Sequence, residues 1–426
     1  MISTLRQFRL VSKNQKGWIP IPKRFIQDKF RGSNPRTLAA QGLVKINRHY
    51  IPGKKPRQYK VADWVIDGYI GASLQSATGL LNLWTGKPVS PQTDAVPLET
   101  PPDDIPNLIQ EAMACFTECW YNPGFIELHL AGLREEYQSD PTISKRFRYL
   151  NDSICYDAVF KHSYPHPTLP GIRGFKPAYA LQSTGRIGTP FQSCSRSMKR
   201  AAFGTIPHVY NYDLASCQIN LSLYQMRLLG IECPWLVDYL ENKSRRAEYA
   251  AQIKITEDSW KACLCSVLFG AVLPTHIRMK HSSIIEILEE DPLVNGNLDS
   301  LAVSLACLRK VLHPLQKPLK TWHQAVIQEV VHSGFIVNHV GLRREYADFQ
   351  NKTSGIIAHL LQGMEAYFIH TLTHLGAAYG FIPMGNEHDG LITIGCIPPA
   401  AIEKAKEITG LAVLELREKP FIINNE

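Results

Sequence analysis

Two aspartates stand near the ends of strand-like runs, where a carboxylate could hold a metal ion. Asp213 lies near the end of the run from Val209 to Leu214. A helix-like pattern follows, with apolar residues at helical spacing: Ile219, Leu223, Met226 and Leu229. Asp389 lies in GNEHDGLITIG between two short apolar runs, residues 381–384 and 391–394, which predict a tight hairpin. A buried carboxylate is costly unless it is paired or binds a metal. Each aspartate also fits a simpler role, a helix N-cap for the first and a polar turn for the second.

A lysine and an aromatic residue lie on one face of a predicted helix. In TEDSWKACLCSVLFG, Thr256 is suited to be the N-cap, and Lys261, Cys265 and Phe269 follow at i, i+4 and i+8. Such a face could bind a triphosphate through the ammonium group and stack the ring against a base. A core helix with one lysine that reaches solvent is the alternative.

Three further stretches carry basic or amide side chains. ALQSTGRIGTPF places Arg186 between glycines, and Arg200 follows in a basic run. NHVGLRREY predicts a hairpin that carries Arg343, and HLLQGMEAYFIHTL predicts a helix with Gln362 near its start. Phosphate contact and an ordinary solvated surface both fit these residues.

The elements that position these residues belong to a large globular chain. Its 426 residues are 45% hydrophobic and 20% charged, which is enough for a sizeable core and more than one domain. The N-terminus lacks the apolar region of a signal peptide, and no run of about 18 apolar residues predicts a spanning helix. The ten cysteines form no zinc-type CxxC pairs. These features predict a cytoplasmic protein with reduced thiols and no membrane partner.

The basic excess lies at the N-terminus. Residues 1–70 hold 15 Lys and Arg against 3 Asp and Glu, whereas the rest of the chain holds 31 against 35. Helix-like PKRFIQDKF and NPRTLAAQGL precede two strand-like runs, LVKINRHYI and RQYKVADWV, joined by PGKKP. This order resembles a winged helix-turn-helix, with Lys54, Lys55 and Arg57 on the wing near DNA phosphates. A winged fold that contacts only protein is the alternative.

The order of the motifs resembles the family A polymerases, the group of bacterial repair DNA polymerases and phage-type single-subunit RNA polymerases. YDLASCQINL looks like motif A, Lys261-x7-Phe269-Gly270 like motif B, and His388-Asp389 like motif C. TGRIGTP is similar to the family's template–primer segment. The resemblance implies an α+β fold shaped like a right hand, with an antiparallel palm sheet, helical fingers and a small helical thumb, after the N-terminal winged helix-turn-helix.

The resemblance also divides the chain into domains. We expect a basic winged-helix-like DNA-binding domain at residues 1–84, a Pro-rich linker at 85–106 and the polymerase domain at 107–426. Within that domain the expected bounds are about 107–180 for the thumb, about 181–235 and 335–426 for the palm, and about 236–334 for the fingers.

What the resemblance implies for the site can be stated residue by residue. Asp213 and Asp389 would bind two Mg²⁺ ions, or Mn²⁺, for transfer of a nucleotide from a triphosphate to a 3′-hydroxyl. Lys261 would bind the triphosphate and protonate the leaving group, and Phe269 would lie beside the incoming base. The other expected contacts are Gln218, Asn220 and Cys265 with the nucleotide, and Arg186, Arg200, Arg343, Gln362 and His388 with primer or template.

Two departures from the family's pattern concern the incoming nucleotide. The glutamate that blocks ribose in the DNA enzymes is replaced by Asn220 or Gln218, depending on the alignment. The basic residue expected one turn before Lys261 is Glu257 here, and the basic residues that could substitute are Lys254, Arg245 and Arg246.

Three functions are consistent with these residues. The first is a DNA-directed DNA polymerase without proofreading, acting in replication with template, primer, nucleoside triphosphates and other replication proteins as partners. The second is a primase or small single-subunit RNA polymerase, which starts without a primer and holds nascent RNA. The third is a DNA-binding replication-initiation protein whose palm is inactive. Retention of Asp213, Lys261 and Asp389 together argues against the third, because an inactive palm has no need of unpaired buried carboxylates.

Overall fold

The computed structural model describes residues 105–139, 143–177, 180–277, 279, 282–349 and 352–421, and three short strands nearer the N-terminus. These strands, β1 (Ile19–Pro20), β2 (Val44–Asn47) and β3 (Gln58–Val61), form an antiparallel sheet in the order β1-β3-β2. The predicted strand pair is thus confirmed for β2 and β3. The predicted N-terminal helices, the linker before residue 105, and Lys54, Lys55 and Arg57 lie outside the described residues.

Helices make up most of the described chain. Their bounds are α1 Asn107–Cys115, α2 Pro123–Ser139, α3 Ile143–Lys161, α4 Arg196–Phe203, α5 Cys217–Leu228, α6 Pro234–Glu241, α7 Arg245–Ile253, α8 Glu257–Leu268, α9 Ser283–Glu290, α10 Leu298–Ser333, α11 Lys352–His374, α12 Gly376–Tyr379 and α13 Pro399–Thr409.

Short strands connect these helices. β4 (Cys119–Tyr121), β5 (Tyr164–Pro165) and β6 (Arg173–Phe175) form a sheet in the order β4-β6-β5. β7 (Ala180–Leu181) pairs with β8 (Ile187–Gly188), and the turn between them carries Arg186.

A four-stranded sheet, here called the central sheet, holds the two aspartates. Its strands are β9 (Val209–Leu214), β12 (Ile382–Asn386), β13 (Gly390–Ile394) and β14 (Leu416–Glu418), in the order β12-β13-β9-β14. A separate hairpin of β10 (Phe335–Val337) and β11 (Arg343–Glu345) matches the predicted NHVGLRREY hairpin. β9 and the β12–β13 hairpin also match the strands predicted from the sequence.

The central sheet separates two hydrophobic cores. Along β13, Leu391 belongs to the larger core and Ile392 to the smaller one, because successive side chains of a strand point to opposite faces. The larger core gathers α1, α5–α11 and α13, and the smaller one gathers α2, α3 and α4 against β12 and β13. Burial on both faces fixes the register of β13.

All strand pairs of the described residues are antiparallel, so the expected α+β class is confirmed. The region 107–180, expected to be a helical thumb, contains β4, β5 and β6 besides its helices.

Two details of the helix predictions were wrong. Gln362 lies in the middle of α11 and not near its start, because the fully buried Ile356 and Ile357 extend the apolar face upstream. Leu229 does not continue the buried face of α5. That helix ends at Leu228 and the chain turns at Gly230, so Leu229 is 48% exposed.

Candidate active site

Asp213 and Asp389 meet at one edge of the central sheet. Gly390 lies opposite Asp213 in the β9–β13 register, and the backbone N–H of Leu214 donates to the Asp389 carbonyl oxygen at 2.7 Å. The two carboxylates lie within hydrogen-bonding distance of each other. The strand end and the hairpin tip therefore bring together side chains that are far apart in sequence.

The approach of the two strands requires glycine at position 390. A Cβ atom there would lie 2.2 Å from the carbonyl oxygen of Tyr212. Any larger residue would push β13 away from β9 and separate the two aspartates. The Gly that follows His388-Asp389 is thus part of the geometry of the pair.

The paired carboxylates suit a hard divalent cation. Burial, then the Glu365 and Asp213 carboxylates, raise the pKa of Asp389 from its ordinary 3.8 to about 7. A bound cation would reverse this effect. Among the described residues no cluster of three or more His, Cys, Asp and Glu side chains is arranged as a metal site. Mg²⁺ commonly binds through one or two carboxylates, with water and substrate phosphates as its other ligands. The carboxylates of Asp213 and Asp389 therefore fit Mg²⁺.

Glu365, in the middle of α11, is a member of the site that the sequence motifs did not reveal. Its side chain is fully buried, and Arg186 Nη2 lies 2.6 Å from one carboxylate oxygen and 2.7 Å from the other. Gln218 Nε2 also donates to it, and the Cys217 thiol lies 3.6 Å away. In the sequence, the signal for Glu365 is that it is the single acidic residue of a largely apolar helix. Arg186 is thereby held mainly by protein, with its side chain 14% exposed.

The amide contacts distinguish Gln218 from Asn220. Gln218 reaches into the carboxylate cluster, whereas the Asn220 side chain turns back and donates to the carbonyl of Ala215 at 2.9 Å. Of these two amides, only Gln218 therefore contacts the carboxylate cluster, through Glu365.

Helix α8 presents its predicted face beside the cluster. Thr256 caps the helix by accepting from the N–H of Ser259, as predicted. The neighbouring Trp260 is fully buried and donates to the Tyr239 hydroxyl, which fixes the helix to α6. Lys261 is exposed on the next position. The anchored indole thus holds the lysine at a defined place above the core.

Cys265 connects the α8 face with the aspartates. Burial raises the pKa of its thiol; the charge of Lys261 lowers this pKa and that of Asp389 raises it. Lys261 and Asp389 thus both act electrostatically on the Cys265 thiol. Phe269 follows the end of α8 and, with Gln362 of α11, lines a cleft of about 650 Å³.

Of the basic residues that could substitute near Lys261, Arg246 reaches α8. Its guanidinium lies 3.1 Å from Glu257 and 2.9 Å from Asp258 in the first turn of that helix. Arg245 instead pairs with Asp238.

The hairpin tip is held by a second, partly buried ion pair. Glu387 pairs with Lys199 of α4, which joins the tip to the smaller core. His388 follows with a left-handed backbone at φ 69°, and burial, with Arg186 and Lys199 nearby, lowers the pKa of its ring to about 4. A neutral imidazole therefore stands next to Asp389.

Two of the expected nucleic-acid contacts lie away from the carboxylates. Arg343 pairs with Glu345 at 2.9 Å and covers the Phe335 ring on the β10–β11 hairpin. Arg200 is exposed on α4. The structure brings neither into the cluster.

No helix of the described residues is long and apolar enough to cross a bilayer. The ten cysteines all lie within this part of the chain, and no disulfide joins any of them.

Comparison with known proteins finds similarity among solved structures. No family model and no curated protein matches the chain. A solved structure described as the POL domain of Pol1 from M. smegmatis, in complex with DNA primer-template and dNTP, is 11% identical to it, with a TM-score of 0.44. The alignment covers 84% of this chain and 65% of that chain. The chain is thus similar to part of a DNA polymerase domain.

Proposed function

We propose that the chain is a template-directed nucleotidyltransferase that uses two metal ions. The observation that carries this proposal is the pair Asp213 and Asp389, held within hydrogen-bonding distance next to the α8 face. Two Mg²⁺ or Mn²⁺ ions bound there would activate the attacking 3′-oxygen and stabilise the leaving pyrophosphate. In the right-hand fold that the motif order implies, the central sheet is the palm and α6–α10 are the fingers.

The side chains of the site bind and orient the substrates. Asp213 and Asp389 supply the negative charge that balances the ions where the 3′-hydroxyl meets the α-phosphate. The new bond joins the 3′-oxygen to the α-phosphorus, and the bond from that phosphorus to the bridging oxygen breaks. Lys261 binds the triphosphate and gives a proton to the pyrophosphate. Phe269 lies beside the base, and pairing with the template selects the nucleotide.

The substrate we propose is a deoxynucleotide, which makes the chain a DNA polymerase without proofreading that acts in replication. The motif spacings and the Gln362-Gly363 helix, which resemble the DNA polymerase branch, support this choice. A primase or small RNA polymerase is the second candidate. It is favoured by Gln218, an amide that replaces the glutamate which blocks ribose in the DNA enzymes. The buried Oε1 atom of Gln218 finds no hydrogen-bond partner within the described chain.

One polymerisation assay tests the proposal and separates the candidates. It crosses primed with unprimed single-stranded DNA, and dNTPs with rNTPs, in Mg²⁺, with Asp213→Ala/Asp389→Ala as the blank. Extension of primed template by dNTPs alone is the expected result. Unprimed products that contain ribonucleotides would identify the second candidate. If no reaction exceeds the blank while the protein still binds DNA, the proposal is wrong and an inactive DNA-binding protein takes its place.

A further inference from the structure

Lys419 contacts the metal-site carboxylate of Asp213. It follows β14 at the edge of the central sheet, and its ammonium group forms an ion pair with Asp213 Oδ2. The backbone fixes its place, since the Lys419 N–H donates to the Asn211 carbonyl oxygen at 2.7 Å. The Lys419 side chain is 59% exposed and that of Asp213 is 22% exposed. The ammonium group therefore approaches the carboxylate from the solvent side.

This ion pair and a metal ion compete for the Asp213 carboxylate. Lys419 contacts one of its two oxygens, Oδ2, and a divalent cation bound to Asp213 would weaken that contact by repelling the ammonium group. The lysine stem has four carbons and rotates freely, so the displaced group stays near the ion. Any phosphate that the ion carries is then within reach of Lys419.

We propose that Lys419 exchanges partners: it is the counter-ion of Asp213 in the metal-free protein and a phosphate ligand in the loaded one. The inference rests on the proposed function of the site. Lys419 competes with the metal ion, yet it favours the substrate that the ion binds, because an ammonium group donates strong hydrogen bonds to phosphate oxygens. The phosphate belongs either to the incoming triphosphate or to the primer backbone.

The test compares Lys419→Gln with Arg417→Gln in the full chain. Arg417 is a matched control because it is half-exposed on β14, two residues before Lys419, but it bonds to Glu415 instead, with Nε 2.7 Å from a carboxylate oxygen. Binding of Mn²⁺ alone is measured by electron paramagnetic resonance without nucleic acid. Since exposed ion pairs are weak, Lys419→Gln should bind Mn²⁺ roughly two- to fivefold more tightly, and Arg417→Gln should match the wild type.

The second measurement has the opposite sign. In saturating Mg²⁺, Lys419→Gln should bind substrate about two- to tenfold more weakly, because one charge-assisted hydrogen bond to phosphate is removed. A higher KM for the triphosphate assigns the contact to the nucleotide, and a higher Kd for primer-template assigns it to the backbone. A purely structural role of Lys419 would not strengthen one affinity and weaken the other.

Failure of this inference is distinguishable from failure of the proposed function. If Asp213→Asn loses Mn²⁺ binding but Lys419→Gln binds it as the wild type does, or changes together with Arg417→Gln, the role of Lys419 is wrong and the metal site stands. Unchanged substrate affinity in Lys419→Gln would also overturn the exchange. If Asp213→Asn binds Mn²⁺ as the wild type does, the metal site itself is wrong.

Discussion

Three carboxylates meet where β9 ends, and each is balanced differently. Asp213 has Lys419 as its counter-ion and Glu365 has Arg186, whereas no basic side chain of the described residues forms an ion pair with Asp389. Burial, then the Glu365 and Asp213 carboxylates, raise the pKa of Asp389 to about 7. The uncompensated member is the one at the hairpin tip. The carboxylates of such a site repel one another, and a bound cation relieves this repulsion.

Glu365→Gln should destabilise the protein while preserving the shape of the side chain. The substitution leaves the mostly buried Arg186 guanidinium without its counter-charge, which typically costs about 3–5 kcal/mol. Relief of the repulsion between Glu365 and Asp389 offsets part of this cost. Urea unfolding measures the difference. Glu403→Gln, on the exposed face of α13, is the control and should change stability little. A decrease below about 1 kcal/mol for Glu365→Gln would contradict the assigned role of the pair.

At the scale of elements, the β12–β13 hairpin and α11 position the site. The hairpin brings Asp389 to β9, and α11 brings Glu365 beneath it. Gly363 of α11 lets Asn338 lie against the helix, since a Cβ there would be 2.6 Å from the Asn338 side chain. The hairpin is packed between the two cores and α11 lies in the larger one, so both elements hold the charges at short range.

Gly390→Ala should lower activity by roughly 10²-fold because it separates β13 from β9. The added methyl would overlap the Tyr212 carbonyl oxygen, so the strands must move and the two aspartates with them. Displacements of about 1 Å at a catalytic site can cost roughly 10²-fold in rate. Nucleotide incorporation and thermal unfolding measure the effect. Gly132→Ala, on α2 with open space around it, is the control and should retain full activity. Equal activity of the two variants would contradict the requirement for glycine at position 390.

His370 should make the stability of the protein depend on pH. Its Nε2 donates to the Gly185 carbonyl oxygen, linking α11 to the turn that carries Arg186, and burial lowers the pKa of its ring from 6.5 to about 4. Between these values the unfolded chain binds a proton that the folded protein does not. The neutral His370 ring contributes up to roughly 3 kcal/mol to the free energy of unfolding. This contribution is complete above pH 6.5 and is lost as pH falls through 4.

Thermal unfolding across that pH range tests the histidine. His370→Gln should flatten the rise of stability with pH, whereas His374→Gln, exposed on the same helix, should leave it as in the wild type. Identical pH profiles of His370→Gln and the wild type would show that the ring does not govern this dependence.

Local patterns in the sequence predicted the elements but not all of the contacts. β9, the β12–β13 hairpin and α8 follow from alternation, turn residues and capping within short windows. The Arg186–Glu365 pair joins residues 179 positions apart, and the Asp213–Lys419 pair joins residues 206 apart. Neither pair has a local signal, since Glu365 and Lys419 belong to no motif. The extent of α11 was misjudged because burial of Ile356 and Ile357 depends on the tertiary fold.

For the whole molecule, the uneven charge predicts how nucleic acid is held. The basic N-terminal segment would bind phosphates without reading sequence, while the site at the central sheet concentrates carboxylates. In the proposed function, such a division would keep the DNA near the site by charge and leave selection of the nucleotide to the template.

Replacement of Lys54, Lys55 and Arg57 by Ala should weaken DNA binding and reduce its salt dependence. For each phosphate that the variant no longer neutralises, the negative slope of log K against log [salt] should become less steep by about 0.9. Binding titrations at several salt concentrations measure the slope. An unchanged slope would contradict the assignment of a DNA-binding wing.

The central claim is that Asp213 and Asp389 together catalyse nucleotidyl transfer. Its most direct test is the rate at which a single templated nucleotide is added to a primed DNA in Mg²⁺, for the wild type and Asp389→Asn. We predict a fall of about 10³-fold or more, because loss of a metal ligand removes several kcal/mol of transition-state stabilisation. Asp389→Asn should remain folded and even gain thermal stability without metal, since it relieves the repulsion from Asp213 and Glu365. Addition at the wild-type rate by the folded variant would contradict the account.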